Sequence, residues 1–221
     1  MKIPQLKKKP ELKSCHNVTW EDDYSWIHQE NILEVLKDSS KLLPEVRKYL
    51  EDENDYFSHQ MSDTKEIQKV LFDEIKGRIK LDDESLPFKD VRYSYWTKTT
   101  TKGNYSIKLR KKIDSEEIEE IWNGDVEKEK LNTEYFGLGD LEVSYNDKLL
   151  AYSLDLKGSE YYTIHIRDIN SKKIIGEKIE NTSGGITFSL DDKYIFYSKL
   201  DDNHRPREIY RHEIGAPTSK D

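Results

Sequence analysis

Acyl transfer by a serine hydrolase needs a nucleophile in a tight turn, a histidine base and an acid that orients it. The chain has serines and six histidines, but no Gly-x-Ser-x-Gly nucleophile turn. Its nearest approach, Ser183-Gly184-Gly185, lacks the preceding glycine and reads as a turn between strands. The histidines are His16, His28, His59, His165, His204 and His212; none forms His-Glu-x-x-His. His165 falls on the polar side of an alternating strand and His204 in the polar run Asp201–Pro206, so both are expected at the surface. Cys15 is the only cysteine, which excludes an internal disulfide and a cysteine-based zinc site. No Walker loop, Gly-x-Gly-x-x-Gly or EF-hand pattern occurs, and Gly137-Leu138-Gly139 is a turn beside a strand. The acidic pairs Asp22-Asp23, Asp82-Asp83 and Asp201-Asp202 read as solvated loop carboxylates rather than cation ligands. The aromatic strings Tyr93-x-Tyr95-Trp96 and Tyr161-Tyr162 read as packing. The expected catalytic, cofactor-binding and metal-binding residues are therefore none.

The elements that would have to position such groups change character along the chain. Up to about Lys80 the period is helical. Pro44 suits a first helical turn, where its missing N–H costs least, and Val46, Leu50 and Phe57 fall near one face of that helix. A shorter helix is expected around Ile32–Leu36. Ile67, Val70, Leu71 and Ile75 form one stripe of a further helix, with Asp63 and Glu66 at capping-box spacing and Gly77 as a stop. After Pro87 the period becomes two. Val91, Tyr93 and Tyr95 alternate with polar neighbours, as do Tyr105, Ile107 and Leu109, and Lys102-Gly103-Asn104 supplies a turn between them. Tyr162, Ile164 and Ile166 alternate in the same way.

An internal repeat organises this β region. Ser144-Tyr145-Asn146-Asp147-Lys148-Leu149-Leu150-Ala151-Tyr152-Ser153 aligns with Ser189-Leu190-Asp191-Asp192-Lys193-Tyr194-Ile195-Phe196-Tyr197-Ser198 at an offset of 45 residues (144 to 189). The same offset carries Ile164 onto Ile209 and Arg167-Asp168-Ile169 onto His212-Glu213-Ile214. A four-stranded propeller blade has about this period. Asn146–Lys148 and Asp191–Lys193 are then polar turns, followed by inner strands, and the Val91–Lys111 hairpin reads as part of an earlier, diverged blade. Two to three blades cannot close a ring and leave sheet edges unpaired. The expected fold is mainly β with N-terminal helices, an incomplete β-propeller.

Composition narrows the partners. A net charge of −8 with both signs interspersed gives no basic footprint for nucleic acid. No 18-residue apolar run marks a membrane span, and the basic start Met1–Pro10 is followed by no apolar signal core. The cytoplasm is the expected compartment.

An ordered series of motifs resembles the prolyl oligopeptidase family of serine peptidases, its oligopeptidase B (protease II) branch in particular. Asp22-Asp23-Tyr24-Ser25-Trp26 is similar to the family's Asp-x-Tyr-x-Trp opening. Tyr49-Leu50-Glu51-Asp52-Glu53-Asn54 resembles the Tyr-Leu-Glu-x-Glu-Asn helix. Glu74–Lys80 with Asp82-Asp83 and Ser85-Leu86-Pro87 resembles the next signature. Tyr135-Phe136-x-Leu138-Gly139, Leu149–Ser153, Gly158-x-Glu160-x-Tyr162-Thr163 and Arg205-Pro206 with Arg211-His212-x-Ile214-Gly215 complete the run. Two places depart from it. Tyr145 stands where the family usually has proline in a Ser-Pro-Asp turn, and Arg207-Glu208 stand where aromatic residues are common.

The resemblance implies residues 1–86 as a helical segment that packs on a catalytic domain, and residues 87–221 as the first blades of a seven-bladed propeller. It implies cleavage of short peptides after Arg or Lys by a Ser-Asp-His triad in a C-terminal α/β-hydrolase domain. That domain is expected to be absent here, so the chain alone is expected to be inactive, with a separately encoded hydrolase domain as its candidate partner. Two other readings stay open: a propeller-type interaction module that recruits a partner by strand addition, and a poorly folding remnant.

Overall fold

The computed structural model describes residues 1–221, which divide into two compact units, Met1–Ile79 and Lys80–Asp221. The first unit contains α1 (Ile32–Lys37), α2 (Pro44–Gln60) and α3 (Lys65–Gly77). Pro44 occupies the first turn of α2, and α3 ends at Gly77. Asp63 does not cap α3: it sits in a single 3-10 turn, and the residue at the cap position is Thr64, whose side chain makes no capping bond. This unit is also not wholly helical. β1 (Glu11–Cys15) and β2 (Val18–Asp22) form a hairpin around His16 and Asn17, both in the left-handed region at φ 48° and 64°. A tight hairpin turn demands that conformation, and Asn tolerates it. Without a glycine in the pair, the turn is poorly marked in sequence. Gln29 fixes the approach to α2, its Oε1 accepting from Leu43 N at 2.7 Å while its Nε2 donates to Asn31 Oδ1 at 2.9 Å.

The second unit is antiparallel throughout, with one sheet of five strands and one of seven; the seven-stranded sheet parts into two portions, the second and third sheets below, at a single residue pair. The first contains β3 (Asp83–Glu84), β4 (Phe88–Asp90), β5 (Tyr93–Thr99), β6 (Ile107–Lys112) and β7 (Ile118–Asn123). The second is the meander β8 (Gly137–Val143), β9 (Leu149–Asp155), β10 (Tyr162–Asp168) and β11 (Ile179–Thr182). The third contains β12 (Thr187–Phe188), β13 (Tyr194–Leu200) and β14 (Pro206–Glu213), and touches the second sheet's ladder through one pair, Thr182 with Lys199. The helix α4 (Gly124–Leu131) is inserted between β7 and β8, capped by Asn123, whose Oδ1 accepts from Val126 N.

The sheets stack face to face through two apolar layers. Ile121 and Trp122 of β7 pack with Leu150, Tyr152 and Leu154 of β9 and with Phe136 and Ile169. Ala151 of β9 and Ile164 and Ile166 of β10 pack with Ile186, Phe188, Ile195 and Tyr197 around the third sheet. Alternate residues of β9 thus serve opposite faces, which is why Leu150–Asp155 is buried without a break. Short antiparallel sheets stacked this way, each built from a meander, are the blades of a β-propeller.

Candidate functional site

The residues that could have done chemistry are kept apart by the fold. Ser183 lies between β11 and β12, its Oγ 2.7 Å from Ser198 Oγ and its N–H bonded to Ser198 O. The neighbouring Gly184 has φ +96°, and a Cβ there would meet the Tyr162 ring at 2.9 Å. Its carbonyl accepts from the buried Ser153 Oγ at 2.7 Å. The segment is a packed turn, as expected. His204 is half-buried, with Nε2 3.2 Å from Ser159 O. His165 is drawn further in than its alternation suggests: it stacks on Tyr152 at 5.3 Å, and burial lowers its pKa.

One His–acid pair escaped the sequence reading. His212 Nδ1 lies 2.8 Å from Asp221 Oδ1, and Tyr197 donates to Asp221 Oδ2 at 2.8 Å. The geometry matches the orienting half of a triad, but His212 is only 1% exposed and no serine hydroxyl bonds to it. The pair works as a clamp that holds Asp221 against β13 and β14. Its members are nine residues apart, a spacing that belongs to no catalytic or metal-binding motif, so nothing in the sequence signals it.

A second buried polar group ties the first sheet to the second. Arg167 of β10 donates from Nη1 to Glu127 Oε1 of α4 at 2.8 Å and from Nη2 to Ile121 O of β7 at 2.9 Å. Its guanidinium lies over Trp122 and Tyr152 at 5.3 and 5.2 Å. Burial pushes the Glu127 carboxyl up, but the Arg167 hydrogen bond and charge outweigh it and hold it below the ordinary range. A cleft of about 410 Å³ opens between the first two sheets, lined mainly by side chains such as Phe88, Trp96, Leu109 and Leu141, with Asp90 and Glu142 at its acidic edge. No nucleophile–base pair converges on it.

The organised feature of this unit is a turn used three times. Arg92, Lys148 and Lys193 each accept at their carbonyl from Ile113, Ile169 and Ile214, at 2.9, 2.8 and 2.9 Å. The residue before each lies in the left-handed region: Val91 at φ 38°, Asp147 at 62°, Asp192 at 57°. In the second and third copies the serine closes the turn identically. Ser144 Oγ accepts from Leu149 N, and Ser189 Oγ from Tyr194 N, at 2.9 and 3.0 Å. The first copy was only partly legible in the sequence. Its spacing to the second is 56 residues (92 to 148) against 45 (148 to 193), stretched by the segment holding α4, and Val91 replaces the aspartate.

Over residues 4–221 the sequence matches the family model for the prolyl oligopeptidase N-terminal beta-propeller domain. The chain belongs to the prolyl oligopeptidase family. Among its curated relatives in that family are dipeptidyl aminopeptidase BI of Pseudoxanthomonas mexicana, 28% identical over 99% of this chain, and protease 2 of Moraxella lacunata, 25% identical over all of it. The chain spans 31% of the length of each. Oligopeptidase B from Leishmania major superposes with a TM-score of 0.84 over 99% of this chain and 32% of that one, at 24% identity. The prolyl-oligopeptidase-family fold seen here is therefore a partial propeller, mostly β with a few helices. No helix of the chain is long and apolar enough to cross a membrane.

Proposed function

We propose that this chain is the non-catalytic propeller part of a serine oligopeptidase that hydrolyses short peptides after Arg or Lys. On this reading none of its residues enters the chemistry. An α/β-hydrolase domain, in the same polypeptide or in a separately encoded cytoplasmic partner, supplies the nucleophile and base for acyl transfer. Residues 1–86 dock on that domain, and residues 87–221 are the first blades of the propeller that restricts the active site to short peptides. The observation that carries the reading is the match of nearly the whole chain to the propeller model, together with relatives of which it spans about a third. Supporting it, Ser183 is engaged by Ser198, and His212 is closed in by Asp221.

Reconstitution tests the proposal. The chain is produced together with an α/β-hydrolase domain of the same family encoded downstream in its own genome, and a short arginyl peptide is supplied. Co-purification with turnover that requires both parts is expected. A hydrolase domain that neither binds the chain nor changes its activity with it would sink the reading.

A further inference from the structure

The repeated turn carries a contact between neighbouring blades. Asp192 of the third sheet reaches back to the turn of the second, its two carboxylate oxygens accepting from Tyr145 N and Asn146 N at 2.7 and 2.8 Å. Asp147, in the same place one blade earlier, reaches back to the first sheet, where Arg92 Nε donates to it and Tyr95 OH lies 3.2 Å away. Arg110 adds a 2.9 Å bond from Nη1 to Asp147 O. A carboxylate on two convergent N–H groups forms charge-assisted hydrogen bonds, stronger than those between neutral groups, and their geometry fixes the turn in place.

The third sheet presents the same receptor with nothing in it. Leu190 and Asp191 stand where Tyr145 and Asn146 stand one repeat earlier, yet their N–H groups meet no acceptor, and Leu190 is 81% exposed. The apolar face beside them is open too. Ala151 and Ile164 are 0% exposed between the second and third sheets; their counterparts 45 residues on, Phe196 and Ile209, are 39% and 82% exposed. The unpaired N–H groups and the exposed apolar side chains thus occur together at the third sheet.

We propose that Asp147 and Asp192 are inter-blade latches, and that the Leu190–Asp191 turn is an open receptor for a carboxylate on the β-sheet that covers Phe196 and Ile209. The partner is a further antiparallel blade whose left-handed turn position carries aspartate. A second copy of this chain does not fit through its first sheet, because it presents Val91 at that position. This rests on the reading of the chain as the opening blades of a longer propeller, and it adds which residue type the next blade must bring and which two N–H groups receive it.

The test appends to the full chain an in-register copy of residues 177–221, with either Asp or Asn at the copied position of Asp192. Amide exchange at Leu190 and Asp191 is followed by NMR, with Tyr145 and Asn146 as internal reference. Exchange at least about tenfold slower with Asp than with Asn is expected. A docked sheet that protects Ile209 while leaving Leu190 and Asp191 equally fast in both versions overturns the latch, and leaves the longer-propeller reading standing. Should the copy fail to dock, the unextended chain decides. Asp192→Asn is expected to speed exchange at Tyr145 and Asn146 about tenfold while Asp191→Asn does not, and unchanged exchange in Asp192→Asn overturns the proposal.

Discussion

The two units handle their apolar residues in opposite ways. Between Lys80 and Asp221, strands of seven or so residues alternate against neighbours on both faces, and Leu150, Ile164 and Ile195 are fully buried. Before Lys80, Val46 is the only buried apolar side chain. The stripe on α3 stays out: Ile67, Val70, Leu71 and Ile75 are 48–62% exposed, as is Phe72 at 61%. Burying the rest of each such side chain is worth about 1 kcal/mol. An isolated helix of this length is marginal in water. The β unit therefore holds its own core, whereas the N-terminal unit has a face suited to burial against another surface. Amphipathic periodicity reports that a face exists, not what covers it.

The largest expected effect separates the units directly. Leu150→Ala should cost about 3 kcal/mol in urea unfolding, through lost burial and a residual cavity. Val70→Ala on α3 should stay within about 0.5 kcal/mol, since its environment is already half water. Equal losses would break the contrast.

The polar tie between the first two sheets comes next. Glu127→Ala leaves Arg167 buried without its carboxylate and should cost about 2 kcal/mol at neutral pH, allowing for partial exposure of the pair. The sign of the pH dependence follows from the depressed carboxyl. The unfolded chain takes up its proton first, so the contribution is complete above the unfolded value of about 4.3 and is lost as pH falls through the lower folded value. Urea midpoints measured from pH 6 to 3 should show a steeper acid decline in the native chain than in Glu127→Ala.

The smallest effect is a gain. Val91 is β-branched, 81% exposed and held at φ 38°, a conformation that is strained for such a side chain. Val91→Asn should stabilise by about 0.5–1 kcal/mol in thermal or urea melts, because Asn accepts this backbone and no packing is lost. A neutral or negative result would mean that the first turn is not held there as its two sister turns are.

How much was legible follows from where the signal is local. The repeat at Ser144–Ser153 and Ser189–Ser198 was readable because each copy needs the same serine, the same left-handed aspartate and the same alternating strand. The first blade was readable as a hairpin of an earlier, diverged blade but could not be aligned with the repeat, since α4 stretches its spacing and Val91 hides the turn. The hairpin at His16-Asn17 was missed because its turn chemistry contains no glycine. Arg167–Glu127 and Asp192 with the Tyr145 N–H depend on groups brought together only by the packing of successive sheets, and His212–Asp221 on a chain reversal after β14 that no motif marks. The family's ordered motifs were visible throughout, and the whole-chain match agrees with them.

The proposal that none of this chain's residues enters the chemistry can be put to one assay. The purified chain is incubated at high concentration with a short fluorogenic arginyl peptide, alongside a variant carrying Ser183→Ala and His212→Gln. No release above buffer is expected from either protein. Turnover by the native chain that the variant loses would contradict it.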